Sequence, residues 1–486
     1  MGSRSTRVRL VASVLATIVI LAPLAWLWQS SLVGKSYSVM GMGTLDYGGG
    51  PVVGHGHGST DRSITDFVVD DARKADVRVD LIAEQQNLMI GGRSVPGYTL
   101  NGTSPGPTIT AHQGELVEVQ VRNASVNAGI TLHWHGYDVP AAMDGVAGVT
   151  QDEVPVGGEF TYRFVANQVG TYWYHSHQVS HEQVIGGLFG TLVVRPKTGE
   201  SQAVDVIATA HTYAGMKTLN GVASDIQVAA KPGQRVRVRV INTDNGPIET
   251  WADTPFQVLA VDGYQVNVPT DVTERSVTVT AGGRADLGVT MPSDGNSVRV
   301  QVSKGTAVLL GTGVPPAPPQ PATALDLLSY GSPTTLDFDP ATADRRFDYS
   351  IGRRPGFVRG RPGLWWSING HLYPHVPMYV VGEGDVVIMR IDNHSGEVHP
   401  MHLHGHHAVV LARNGVAATG SPWWVDSLNV LDGETYDIAF VATNPGIWLD
   451  HCHHLKHAAD GMVAHLMYEG VSTPYRIGGT PDNQPE

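Results

Sequence analysis

Cysteine is almost absent from this chain: Cys452 is the only one in 486 residues. A lone cysteine cannot close an internal disulfide, so the cores must hold the fold. The thiol is then a buried bystander, a reactive group or a metal ligand. Charge is sparse too. Charged residues make up 16% of the chain, and 32 Lys and Arg against 45 Asp and Glu leave a net charge of -13. That balance argues against nucleic acid as a partner and fits a soluble surface that attracts cations. Long apolar runs are lacking except at residues 10–28, which carry no charged side chain. That run is close to the ~20 residues a spanning helix needs.

Arg4, Arg7 and Arg9 precede the run, which predicts that this end stays inside the cell. Trp26 and Trp28 would mark the outer interface. We read residues 1–33 as an uncleaved membrane anchor, with a cleaved signal peptide as the alternative. The rest of the chain then lies outside the cytoplasm, membrane-anchored or secreted. No twin-arginine pair precedes the run, which points to export unfolded and metal loading afterwards.

What is abundant is Gly (57), Pro (30) and His (22). Val-rich alternating runs broken by Gly and Pro predict an all-β protein, and the length predicts two to four domains. Residues 34–76 are Gly-rich and read as a flexible tether. Met40, Met42, His55 and His57 within it could also catch copper.

An alternating strand then recurs three times. Gly114 to Asn123, Gly233 to Asn242 and Gly384 to Asn393 share one spacing. The repeat predicts three β-sandwich domains, over 77–198, 199–315 and 361–475. A Pro-rich stretch ends the middle copy, 316–360 reads as a connection, and 476–486 as a tail. A second element recurs only in the outer copies: Gly170 to His175-Ser-His177, and Gly446 to His451-Cys-His453. His133-Trp-His135 and His402-Leu-His404 follow Asn123 and Asn393 in the same way. The matching stretch of the middle copy has no His, so that copy reads as a spacer.

Residues two apart on a strand share a face. Each His-x-His therefore offers two imidazoles side by side, and four such pairs at matching points of two repeats would converge if the outer domains pack together. Converging neutral imidazoles suit copper. Strand alternation turns Cys452 to the face opposite His451 and His453. With His399, His457 and Met462 nearby, it completes the ligand set of a blue electron-transfer copper. The backbone from Cys452 to His451 and His453 is a short electron route between the two sites. Zinc fits poorly, since its structural sites close with four ligands.

These motifs resemble the multicopper oxidases, the laccase-like family: His133-Trp-His-Gly136, His175-Ser-His177, His399-Pro-Met-His-Leu-His-Gly-His406, and His451-Cys-His453 followed by His457 and Met462. Asn101-Gly-Thr-Ser-Pro-Gly-Pro107 is similar to the family's early loop. The resemblance spans about residues 75–470. It implies three cupredoxin-like Greek-key domains and four coppers per chain. His399, Cys452 and His457 would bind a type 1 copper with Met462 axial. His133 and His402 would bind the type 2 copper. His135, His175 and His453 would bind one type 3 copper, and His177, His404 and His451 the other. A reducing substrate would give single electrons at type 1 copper, and four electrons with four protons would turn O2 into two waters. Asp144 matches an acid that serves as a proton relay in similar bacterial enzymes; the plain alternative is a turn residue before Gly145. Relatives with a Glu six residues after the Cys have Ala458 here, which leaves Asp460 as a substitute.

Phenols and aromatic amines are the first expectation for the donor, and Cu(I), Fe(II) or Mn(II) the alternative. The chain has no Met-rich insert, which weakens the cuprous reading. Copper sequestration without catalysis is disfavoured because every ligand is present. Copper nitrite reductases lack the four paired motifs.

Overall fold

The three Gly–Asn repeats become three equivalent strands: Leu116–Asn123, Arg235–Asn242 and Val386–Asn393. Each pairs in parallel with the strand that opens its own domain, namely Val77–Ile90, Val204–Tyr213 and Arg345–Val358. The glycines before them have φ of +90°, +70° and +90°, a left-handed turn that only glycine enters without strain. The asparagines have a shared task. Nδ2 of Asn123 donates to Val126 O and Val154 O, Asn242 to Gly246 O and Val279 O, and Asn393 to Glu397 O and Val430 O. Each amide ties its turn to another segment of the same domain where backbone partners run out.

The computed structural model describes residues 2–51, 62–69, 72–198 and 204–486. Among these described residues, two sheets stand around each repeated strand: four and four strands in the first domain, six and five in the second, six and seven in the third. Period-2 burial follows the sequence, with Val117, Val119 and Val121 each fully buried. Three separate apolar cores result. A fourth cluster, with Leu88, Trp173, Phe189, Tyr213, Ile241 and Leu455, joins side chains of all three domains. Each large apolar side chain withdrawn from water contributes roughly 1.5–3 kcal/mol, so this junction holds the outer domains against each other.

The structure corrects two expectations, the flexible tether and the length of the connection, and adds contacts for the tail and the middle domain. Parts of the tether are packed on the third domain. Ser36–Tyr37 pairs with Ile477–Gly478, Thr44–Asp46 extends a third-domain sheet, and Val39, Met42 and Ile64 enter its core. Their apolar side chains outweigh the glycine content that suggested flexibility. Met42 is thus occupied in packing, Met40 is half-buried, and His55 and His57 lie outside the described residues. The connection is shorter than expected, because Arg345–Val358 is a strand of the third domain. The tail folds back, and Asn483 is fully buried. The middle domain, which offers no residue to the candidate ligand groups, still reaches the site: Gly282 lies against His135, and Arg284 pairs with Asp426 behind the cluster.

The N-terminal helix runs over Gly2–Ser30 and contains a stretch, Thr6–Ser30, apolar enough to cross a membrane. Its described side chains are exposed along most of its length.

Candidate metal centre

His133 and His175 sit directly opposite each other on paired strands of the first domain, and His402 and His451 on paired strands of the third. The second His of each motif continues along or just past its strand end. Eight imidazoles thereby meet between the outer domains, each at most 1% exposed. His133 Nε2 lies 3.4 Å from His402 Nε2, and His404 Nε2 lies 3.1 Å from His451 Nε2. The rings of His135 and His402 stack at 3.8 Å, as do those of His133 and His404.

The ring nitrogens divide into outward and inward sets. Outward, His175 Nδ1 meets Ser176 O, His177 Nδ1 meets Pro485 O, and His402 Nδ1 meets Asp426 O, each at 2.9 Å. His135 Nε2 faces Ser427 Oγ and Asp426, both at 3.2 Å. Inward, His135 Nδ1, His175 Nε2 and His177 Nε2 have no hydrogen-bond partner among the described residues, and neither nitrogen of His453 has one. A buried unpaired polar atom costs about 1–3 kcal/mol. Several of them aimed at one another are therefore unfavourable unless cations fill the space between.

Electrostatics agrees. Burial, reinforced mainly by neighbouring imidazoles, lowers the pKa of His135, His175, His177, His404, His451 and His453 well below the ordinary value, and burial lowers that of His402 as well. Neutral imidazoles with free lone pairs are metal ligands in waiting. His135, His175 and His453 form one group with ligand atoms within 4.8 Å of one another, and His177, His404 and His451 a second. His133 and His402 meet His135 in a third.

Cys452 faces the other side of its strand, as alternation requires. Its Sγ lies 3.5 Å from His399 Nδ1 and 3.6 Å from His457 Nδ1, and those two nitrogens are 3.3 Å apart. Burial pushes the thiol pKa up and brings His399 down to about 3 and His457 to about 4. A thiol so placed becomes a thiolate only beside a positive charge such as a metal. Met462 is fully buried, and its carbonyl accepts the Cys452 N–H at 3.2 Å.

Asp144 stands behind the cluster with both oxygens engaged. Oδ1 is 3.1 Å from His133 Nδ1, and Oδ2 is 3.0 Å from His404 Nδ1. It therefore orients two imidazoles whatever else it does. Asp460 instead pairs with Lys456.

Several residues escaped the sequence reading. Asp426 sits behind His135 and His402 and receives two N–H groups from Arg284 of the middle domain. Burial alone would raise its pKa, but Arg284 and the histidines hold it well below the usual range. Gly282 touches the cluster as well: a Cβ there would lie 2.7 Å from His135 Cε1. Glu486 is buried with Oε1 3.2 Å from His451 Nδ1, and burial raises its pKa to about 8. It lines a cavity of about 210 Å³ together with Ala458 and His465, so the tail brings an acid to the side where Ala458 offers none. Trp366 packs on His399 and His457 at 4.8 and 4.4 Å. Only Arg284 left a trace in the sequence, as a charge in an apolar strand, Arg284–Thr290. His406, His407 and His465 are buried but outside the ligand groups; His406 Nε2 meets Tyr468 Oη at 2.6 Å.

Comparison with known proteins agrees. Multicopper oxidase family models match residues 82–199 and 333–470. Laccase-1 of Botryotinia fuckeliana is 29% identical, with 83% of each chain covered. Multicopper oxidase MmcO of Mycobacterium tuberculosis is also 29% identical, over 81% of this chain and 87% of the relative. The crystal structure of a multicopper oxidase from Pseudomonas thermotolerans superposes with a TM-score of 0.67 at 25% identity, covering 80% of this chain and 98% of the other. With three cupredoxin-like sandwiches and a histidine cluster suited to copper, this chain belongs to the multicopper oxidases, oxidoreductases that use O2.

Proposed function

We propose that the protein oxidises phenols or aromatic amines, one electron at a time, and passes the electrons to O2. The observation that carries this reading is the strand Ile447–Cys452, which turns Cys452 toward His399 and His457 and His451 toward the eight-histidine cluster. In this reading four coppers bind. His399, Cys452, His457 and Met462 hold the type 1 ion. His133 and His402 hold type 2. His135, His175 and His453 hold one type 3 ion, and His177, His404 and His451 the other. Bound copper supplies one-electron redox chemistry and the reduction of O2 to water. The protein supplies the rest. The outward nitrogens fix ring orientation, and burial keeps bulk water from the cluster. Cys452 is covalently joined through the backbone to His451 and His453.

Donor chemistry is read from the rim. His457 is 7% exposed, and Glu397, half-exposed, lies 3.5 Å from its Nε2. A carboxylate there can accept the proton a phenol releases on oxidation. The same carboxylate would attract Fe(II), Mn(II) or Cu(I), which keeps metal-ion oxidation as the second reading. Arg353 pairs with Glu397 and weakens that attraction. Oxygen uptake with phenols, Fe(II), Mn(II) and Cu(I), comparing wild type with Glu397→Gln, separates the two. We expect phenol turnover to exceed metal-ion turnover and to fall about 10²-fold in the variant. Faster metal-ion turnover would favour the second reading.

We assign Asp144 a role in proton delivery besides orienting His133 and His404. Asp144→Asn is expected to slow reoxidation by O2 about 10²-fold while leaving reduction by the donor unchanged, both followed by stopped flow. An unaltered reoxidation rate would remove Asp144 from the reaction.

The helix Gly2–Ser30 reads as an anchor that keeps the three domains at the outer face of the membrane. Its length and exposed apolar side chains support this. Secretion after cleavage is the alternative.

A further inference from the structure

The helix ends against one particular hairpin. Ser31 Oγ accepts the Gly360 N–H at 3.1 Å, and His375 Nε2 meets Ser30 O at 2.9 Å. A Cβ on Gly360 would lie 2.8 Å from Leu32 and 3.4 Å from Trp28. Arg359 and Gly360 form the turn between the strands Arg345–Val358 and Arg361–Ile368, with Arg353 opposite Trp366, Pro355 opposite Leu364 and Phe357 opposite Pro362. Strand alternation puts these three pairs on one face.

That face has two ends. At the inner end Trp366 is buried against His399 and His457. Toward the turn the face opens to solvent: Leu364 is 63% exposed, Pro355 and Pro362 are exposed, and Phe357 is half-buried. About 17 Å of strand separates Trp366 from the turn. The charge pattern is as unusual as the apolar strip. Arg353 lies on this face, paired with Glu397, Arg359 is at the turn, and Arg354 and Arg361 are exposed on the hairpin's other face, while no Asp or Glu occurs between Asp348 and Glu383, in a chain of net charge -13. Arginines flanking exposed apolar side chains fit the boundary between lipid headgroups and acyl chains. Each basic residue near an anionic surface contributes about 1 kcal/mol, and apolar side chains sink a few ångströms below the headgroups.

We propose that this hairpin face is a docking surface for an anionic bilayer, continuous with the point where the helix leaves the membrane. It rests on the anchor reading above. The His399 and His457 edge of the site then opens beside the headgroups, where amphipathic aromatic donors concentrate.

The buried Cys452 makes a direct test practical, because Leu364→Cys adds the single accessible thiol. The copper-loaded full chain carries a fluorophore on that thiol and is reconstituted in nanodiscs of phosphatidylcholine and phosphatidylglycerol. Half of the preparations contain lipids brominated near the headgroup end of the acyl chains. Ser293→Cys, exposed on the middle domain, is the reference. Bromination should dim the Leu364→Cys label about twofold and leave the Ser293→Cys label unchanged. Arg354→Gln with Arg361→Gln should restore most of the intensity. Co-elution with the discs but equal intensity at both labels overturns the docking surface and leaves the anchor standing. Failure to co-elute overturns the anchor reading and the docking surface with it.

Discussion

Cys452→Ser is expected to abolish the blue absorption of the copper-loaded protein and its oxygen uptake together. The colour expected of this site is charge transfer from a thiolate, and no other cysteine exists to supply one. Serine is a hard donor with a far higher pKa, so the soft ligand set collapses to two imidazoles and a thioether. Copper affinity at that site should fall by more than about 100-fold. Uptake should fall with it, because His399 and His457 no longer hold the ion that accepts electrons. The fold should survive: the side chain is nearly isosteric and sits in the large third-domain core, so far-ultraviolet dichroism should be unchanged. The cluster histidines, on the opposite face of the strand, should retain their copper. Retained blue colour in this variant would sink the assignment of Cys452.

His404→Ala should give the reverse pattern, with the colour kept and oxygen uptake lost. His404 Nε2 faces His451 Nε2 at 3.1 Å, and its Nδ1 is held by Asp144. Its removal opens one of the three-histidine groups and leaves Asp144 with an unused buried oxygen. None of this touches His399, Cys452 or His457, which lie across the strand. Oxygen uptake should drop by more than about 100-fold, while anaerobic bleaching by the donor proceeds as in the wild type. Normal uptake would mean that the eight histidines are not where O2 is reduced. The two variants thus separate electron entry from oxygen reduction, and each serves as the control for the other.

The candidate ligands were legible because metal chemistry and strand geometry both write local patterns. A His-x-His motif states its own geometry once it lies on a strand. Three copies of Gly to Asn spacing announced three sandwiches, and the structure shows why that spacing recurs: each Asn amide closes its turn and reaches another segment. The tether misled because glycine content speaks for flexibility, while Val39, Met42 and Ile64 find the third-domain core only after folding. The connection misled because the hydrogen bonds of Arg345–Val358 are made to Val386–Asn393 and to the following strand, partners a linear reading does not reveal.

By itself, then, the sequence determined the all-β class, the threefold repeat, the isolation of Cys452 from any disulfide, and the residue types able to bind copper. These are properties of spacing and side-chain chemistry, which the chain carries whether folded or not. Tertiary structure alone decided the surroundings of those residues. It brought Gly282 from the middle domain, Pro485 and Glu486 from the tail, and Asp426, which lies between two third-domain strands and pairs with Arg284, against the histidines. It also set the Trp366 hairpin between the Cys452 site and the N-terminal helix. Most of these contacts join residues more than a hundred positions apart. They exist only because burial of three cores and one shared junction forces distant segments together, and no local pattern encodes them.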